Sequence, residues 1–211
     1  MGKFGLIGFG ALGIQIQNYL TQSGFDKKEF VYFDDIEFSN EKSNCFPFED
    51  YLNDLHGHLQ FIVCLGYKHL KRKKEIIELL KGNGRELYTY IHPSSYINQL
   101  ATIEEGVIIY PMCNIDANVL LKSGTLINNS VTISHDSIID ECCFLAPGVT
   151  VSGGVHIKCC AFIGANSTIA NGISINQNCT IGMATSVSRD LDENSKVIGN
   201  PMKIVKSLNL I

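Results

Sequence analysis

The chain is 211 residues long and 45% hydrophobic, with 17 Lys and Arg against 21 Asp and Glu, a formal net charge of -4; that is enough apolar material for one large domain or two small ones. The slight acidity and the lack of a dense Lys/Arg face exclude nucleic acid as the natural partner, because neutralising phosphates takes a clustered basic surface. No segment has the apolar length of a membrane span, and residues 1–10 lack the basic-then-apolar order of a leader, so a cytoplasmic protein with no membrane insertion is expected.

Residues 3–9 read as a buried strand running into Gly8-Phe9-Gly10-Ala11-Leu12-Gly13, and residues 14–21 as a helix. Strand, glycine turn and helix in that order form the setting in which free backbone amides and the helix dipole hold a phosphate. A second strand over 30–33 ends in Asp34-Asp35, where a carboxylate is placed to take ribose hydroxyls or a base edge. A third, over 61–65, ends at Gly66, and an amphipathic helix over 68–80 and a last strand over 86–91 lead to the turn His92-Pro93. The run Lys71-Arg72-Lys73-Lys74 reads as a solvated helix face. Residues 1–92 are too few for the full doubly wound dinucleotide fold, which weighs against a nicotinamide-dependent oxidoreductase. An α/β half-Rossmann domain of this size suits a mononucleotide or a nucleotide-sugar; the alternative is a purely structural cap.

Over residues 93–211 a different order takes over. Every sixth residue from Ile97 to Val187 is a branched aliphatic, without exception, as in Ile127, Ile133, Ile139, Leu145 and Val151. Two residues before each stands a small or β-branched residue in most cases, such as Val107, Cys113, Val119, Thr125 and Val131, while Gly and Asn recur at turn positions. A period of six fits neither a helix nor a half-buried strand. It is the register of a parallel β-helix, an all-β hexapeptide-repeat fold in which three units, eighteen residues, close one triangular coil with its aliphatics inward. The eight cysteines form no C-x-x-C pair and match no histidine pattern, so they read as reduced, mostly buried thiols, and no metal is expected.

Ser134-His135-Asp136 follows inward Ile133, so His135 is expected at a corner or on an outer face. An imidazole titrates near neutrality and can take a proton from an attacking amine or hydroxyl, and a neighbouring carboxylate favours its protonated form. Eighteen residues on, one coil above, stands Gly153-Gly154, whose uncovered backbone N–H is placed as an oxyanion donor. The bland alternatives are a surface histidine and a tight turn.

These pieces together resemble the bacterial nucleotide-sugar N-acetyltransferases, grouped with sialic-acid O-acetyltransferase-like proteins. The resemblance is carried by the glycine turn after the first strand, Phe33-Asp34-Asp35, Leu65-Gly66, Ile91-His92-Pro93, Ile127-Asn128-Asn129-Ser130 through Ser134-His135-Asp136, and Gly199-Asn200-Pro201-Met202-Lys203. It implies a left-handed coil, with His135 as general base, Asp136 raising its basicity and the Gly153 amide as donor to the thioester carbonyl oxygen. It further implies a homotrimer with acetyl-CoA between adjacent helices, near Phe144, Gly164, Ala165, Gly182 and Met183, and with Lys203 or Lys206 at its phosphates. Gly10, Ala11, Leu12, Asp34, Asp35 and Gly66 would line the nucleotide-sugar pocket. Relatives often carry Ser-Gly-His or a glycine run where this chain has Gly10-Ala11-Leu12, and a histidine where it has Phe144. The reaction so implied is transfer of an acetyl group to the amino group of a nucleotide-linked sugar, a 4-amino-4,6-dideoxy sugar. The rivals are O-acetylation of a sugar hydroxyl and a non-catalytic nucleotide-sugar sensor.

Overall fold

The computed structural model describes residues 3–206 and divides the chain into two compact units, one ending at Thr89 and the other beginning at Tyr90. No helix among the described residues is long and apolar enough to cross a membrane.

The front unit holds five parallel strands in the order β3-β2-β1-β4-β5: β1 (Phe4–Ile7), β2 (Phe30–Phe33), β3 (Cys45–Phe46), β4 (Gln60–Val63) and β5 (Glu86–Leu87). Three helices connect them, α1 (Ala11–Gln22), α2 (Asp35–Ser39) and α3 (Leu70–Gly82). A parallel sheet buried on both faces calls for continuous apolar runs, and β1 supplies one in which all four residues are buried. Aromatic rings fill the rest: Phe4, Phe30, Phe33 and Phe61 are fully buried, and a methyl on Gly5 would stand 2.8 Å from the Phe61 ring. On α3 the basic run divides. Arg72 pairs with Glu49 and Glu75 and Lys74 with Glu78 at the surface, while Lys73, expected to be solvated, is only 2% exposed. Its position on the same helix stripe as Ile76, Ile77 and Leu80 turns it inward.

The strand expected over 86–91 is two strands. Glu86–Leu87 closes the front sheet, whereas Tyr90–Ile91 pairs with Ile108–Ile109 as the first rung of the second unit. Spacing explains it: Ile91 stands six residues before Ile97 and eighteen before Ile109, so it already obeys the repeat, and the second unit starts at Tyr90 rather than at 93.

The second unit is a parallel β-solenoid of seventeen two-residue strands, from Tyr90–Ile91 to Ser186–Val187, that recur every six residues and pair eighteen apart. Three faces result. The strands ending at Ile91, Ile109, Ile127, Leu145, Ile163 and Ile181 make face one; those at Ile97, Ile115, Ile133, Val151, Ile169 and Val187 make face two; those at Ile103, Leu121, Ile139, Ile157 and Ile175 make face three. A hairpin of Lys196–Ile198 and Lys203–Ile204 extends face one.

Inside, the hexad aliphatics from Ile109 to Val187 are essentially unexposed, and each fully buried branched side chain is worth about 1.5–3 kcal/mol. The column two residues earlier satisfies the corners. Thr125 Oγ1, Ser137 Oγ and Ser167 Oγ donate to the carbonyls fifteen residues on, those of Asp140, Ser152 and Gly182, at 2.9, 3.0 and 2.8 Å. Cys113 and Cys143 donate in the same way to Asn128 O and Lys158 O. All eight cysteines are free thiols, and only Cys159 is not buried. Each corner is turned by one left-handed residue: from Gly106 to Ala184 every sixth residue has φ between +52° and +73°.

Candidate active site

His135 and Gly153 share the corner between faces two and three, on successive coils. The His135 main chain is clamped from above, its carbonyl accepting from Gly154 N–H at 2.9 Å, and the following peptide from below, Asp136 N–H donating to Ala117 O at 3.0 Å. The left-handed backbone at Asp136, φ +59°, swings its carboxylate back beside the ring that precedes it, and Oδ2 meets His135 Nδ1 at 2.8 Å. Asn118, one coil below, donates from Nδ2 to the other oxygen at 2.9 Å. The hydrogen bond to His135, and then that from Asn118, hold the Asp136 carboxyl below its usual range.

The imidazole packs directly against Gly153 on the next coil: a methyl on that glycine would stand 2.6 Å from His135 Cε1 and 2.7 Å from Nε2. Gly153 O accepts from Gly172 N–H at 3.0 Å, but the Gly153 N–H has no acceptor among the described residues. With a carboxylate at Nδ1 the ring carries its proton there, so Nε2 presents a lone pair beside an unused peptide donor. The His135 side chain is 63% exposed, so this pair faces solvent and not the core. Such an arrangement can accept a proton at one atom and stabilise a developing oxyanion at another.

A second histidine–carboxylate pair, missed in the sequence because its members are sixteen apart, joins His156 Nε2 to Asp140 at 3.0 Å. It differs in two respects. Asp140 is already bound by Lys122 Nζ at 2.7 Å, and the residue one coil above His156 is Ser174, not glycine.

The residues expected to hold the acyl donor lie elsewhere on the prism. Gly164, Ala165, Gly182 and Met183 stack on successive coils at the corner between faces one and two. At its two glycines this strip is bare and closely packed, since a methyl on Gly164 would lie 2.6 Å from Met183 N and one on Gly182 2.6 Å from the Ile198 side chain, while the Met183 side chain beside them is 72% exposed. Phe144 is 7% exposed and packs against Phe162, ring centroids 5.8 Å apart; Lys203 and Lys206 are exposed at the end of face one. Within one chain this corner and the His135 corner are different edges of the prism.

In the front unit, Gly10, Ala11, Leu12, Asp34 and Gly66 do come together, lining a cleft of about 360 Å³ with Tyr67, Lys68 and His69. Lys68 and His69 were not singled out from the sequence, where they read only as the start of a helix. Gly10 and Gly66 line this cleft and each precedes a helical turn with no side-chain cap. Gly8, at φ +83°, makes the tight turn. Asp34 is more occupied than expected: Oδ2 accepts from Phe9 N–H at 2.8 Å and Oδ1 caps α2 through Ile36 N and Glu37 N. Asp35 is not among the lining residues; its Oδ1 accepts from Phe48 N–H at 2.8 Å.

No protein-family model matches the sequence, and no curated protein sequence does. The architecture nonetheless matches a known fold, a left-handed parallel β-helix preceded by a small α/β unit. Among the solved structures it is similar to is a histidine-to-asparagine variant of perosamine N-acetyltransferase from Caulobacter crescentus in complex with CoA and GDP-perosamine, with a TM-score of 0.87, 22% identity and 98% of each chain covered. The acetyltransferase domain of PglB from Neisseria gonorrhoeae FA1090 in complex with acetyl coenzyme A gives 0.86 and 23%, over 96% of this chain and 98% of that one. WeeI from Acinetobacter baumannii AYE gives 0.86 and 20%, over 97% and 100%. At these identities the likeness establishes the fold.

Proposed function

We propose that the chain is an acetyl-CoA-dependent N-acetyltransferase acting on the amino group of a nucleotide-linked amino sugar, a 4-amino-4,6-dideoxy sugar. The observation that carries the reading is the His135 corner: an imidazole oriented by Asp136 and packed against Gly153, whose N–H has no acceptor among the described residues. Its fold is shared with a perosamine N-acetyltransferase crystallised with CoA and GDP-perosamine, which supports the same chemistry here.

The sugar amine attacks the thioester carbonyl, forming a C–N bond while Gly153 N–H donates to the oxyanion. His135 Nε2 takes the proton shed by the nitrogen, and Asp136 steadies the imidazolium. Collapse of the adduct breaks the C–S bond, and the proton passes from His135 to the departing thiolate. The strip at Gly164, Ala165, Gly182 and Met183, with Phe144 and Lys203 near it, would hold the pantetheine and phosphates. That strip and the base occupy different prism edges, so a homotrimer of parallel prisms is the arrangement that brings one copy's strip to another copy's base. The cleft at Gly10, Ala11, Leu12, Asp34 and Gly66 would take the nucleotide, with Asp35 supporting its rim.

The test incubates the protein with acetyl-CoA and GDP-, UDP- or dTDP-linked 4-amino sugars, following thiol release and product mass. An acetamido product is expected, and His135→Ala should lose about 10²- to 10⁴-fold in turnover with its circular dichroism unchanged. Wild-type turnover in that variant, or an O-acetyl ester as the product, would overturn the reading.

A further inference from the structure

We propose that Asn118 is a positioning residue for the acyl transfer: from one coil below the imidazole, its side-chain amide holds the Asp136 carboxylate in the orientation that orders His135. The proposal deepens the reading of His135 as the base and rests on it.

Its starting point is how the Asp136 carboxylate is divided. One oxygen faces His135 Nδ1 at 2.8 Å and the other accepts from Asn118 Nδ2 at 2.9 Å. Both His135 and Asp136 are more than half exposed, so packing alone leaves ring and carboxylate free to turn. Asn118 supplies the restraint. It stands eighteen residues before Asp136 with nearly the same left-handed backbone, φ +58° against +59°, so the two side chains leave adjacent coils in parallel. The Asp136 N–H to Ala117 O bond keeps those corners in register. Above Asp136 the same position is Gly154 and then Gly172, so no side chain competes from that side.

The chemical type of the donor matters. A neutral amide orients a carboxylate without cancelling its charge, which is left to stabilise the imidazolium. The same solenoid shows the contrast: the carboxylate beside His156 is held by Lys122, a full positive charge that competes with the imidazole. The chain of contacts therefore climbs three coils, from Asn118 through Asp136 and His135 to Gly153. Without the amide, Asp136 turns towards water and His135 samples the Nε2–H tautomer, which has no lone pair beside Gly153.

Two variants remove the donor without straining the left-handed corner: Asn118→Gly, and the nearly isosteric Asn118→Asp, which sets a second carboxylate against the first. The ring ¹⁵N shifts of His135 in ¹⁵N-histidine-labelled protein report its tautomer without any substrate. Both variants should lose Nδ1–H tautomer, and kcat should fall about tenfold, the worth of one net hydrogen bond, with KM for acetyl-CoA and acceptor nearly unchanged. In an Asp136→Gly background, Asn118→Gly should have no further effect, because the carboxylate it orients is gone. An unchanged tautomer in Asn118→Gly, or an equal kcat loss in the Asp136→Gly background, would overturn the proposal. If the unmutated chain transfers no acetyl group, the function proposed above fails, and the tautomer measurement still decides the role of Asn118.

Discussion

Gly153 shows how little room the candidate site has. A methyl there would sit inside contact distance of three atoms of the His135 ring, yet that ring is exposed enough to swing outward. Gly153→Ala should therefore barely move the melting temperature while displacing the imidazole by an ångström or more. Misplacement on that scale costs about a hundredfold in rate, so kcat and a thermal melt measured side by side are expected to separate; wild-type kcat would show that the ring's seat is not required. The eighteen-residue spacing made His135 and Gly153 legible as a pair, because stacked coils turn a sequence interval into a contact. Asp34 was legible as a carboxylate after a strand, but not as a bracket, since the Phe9 amide it binds is twenty-five residues away. Asn118 carried no signal of its own.

The hexapeptide is a unit with three demands: an inward aliphatic, a small neighbour two positions earlier, and one left-handed residue at the corner. The first two were visible because apolar and small residues meet them almost exclusively. The third was only partly visible, because Gly and Asn fill it at many corners while Met112, Ser130, Cys142, Cys160 and Ala184 fill it at others. A left-handed conformation costs an ordinary L-residue about 1–2 kcal/mol, and Asn less. Met112, 70% exposed at φ +61°, has few contacts to lose. Met112→Asn is expected to stabilise the solenoid by up to about 1 kcal/mol, read from the denaturant midpoint at constant slope; a lower midpoint would mean the methionine is buried against a partner. The cysteines make sense at this scale as well. Cys113 and Cys143 stand in the column where Thr and Ser serve elsewhere, and donate to the same kind of carbonyl.

For the whole molecule, the two units carry different stabilising elements and should respond differently to pH. The front unit buries His56 between the rings of Phe33 and Phe46, at 5.0 and 4.6 Å, and that burial pushes its pKa down despite the opposing charge of Asp50. A depressed histidine favours the neutral ring in the folded state, so its contribution is present above the unfolded value of about 6.5 and is lost as pH falls below it. Hydrogen exchange in β1 and β4 should accelerate as pH drops from about 7.5 to about 5.5, after correction for intrinsic rates, and His56→Phe should flatten that trend. An unaltered trend in the variant would place the acid sensitivity elsewhere. The amino-acid order by itself determined that a strand–turn–helix unit precedes a triangular solenoid, because both rest on local periodicities of apolar residues. It also placed an imidazole on a corner beneath a glycine. The place of Tyr90–Ile91 in the solenoid and the inward turn of Lys73 follow from spacing and stripe, but only the tertiary structure decided that Asp34 binds the Phe9 amide and that Asn118 reaches the Asp136 carboxylate. Both contacts depend on which segment lies alongside which, and pairing between distant segments leaves no trace in local composition.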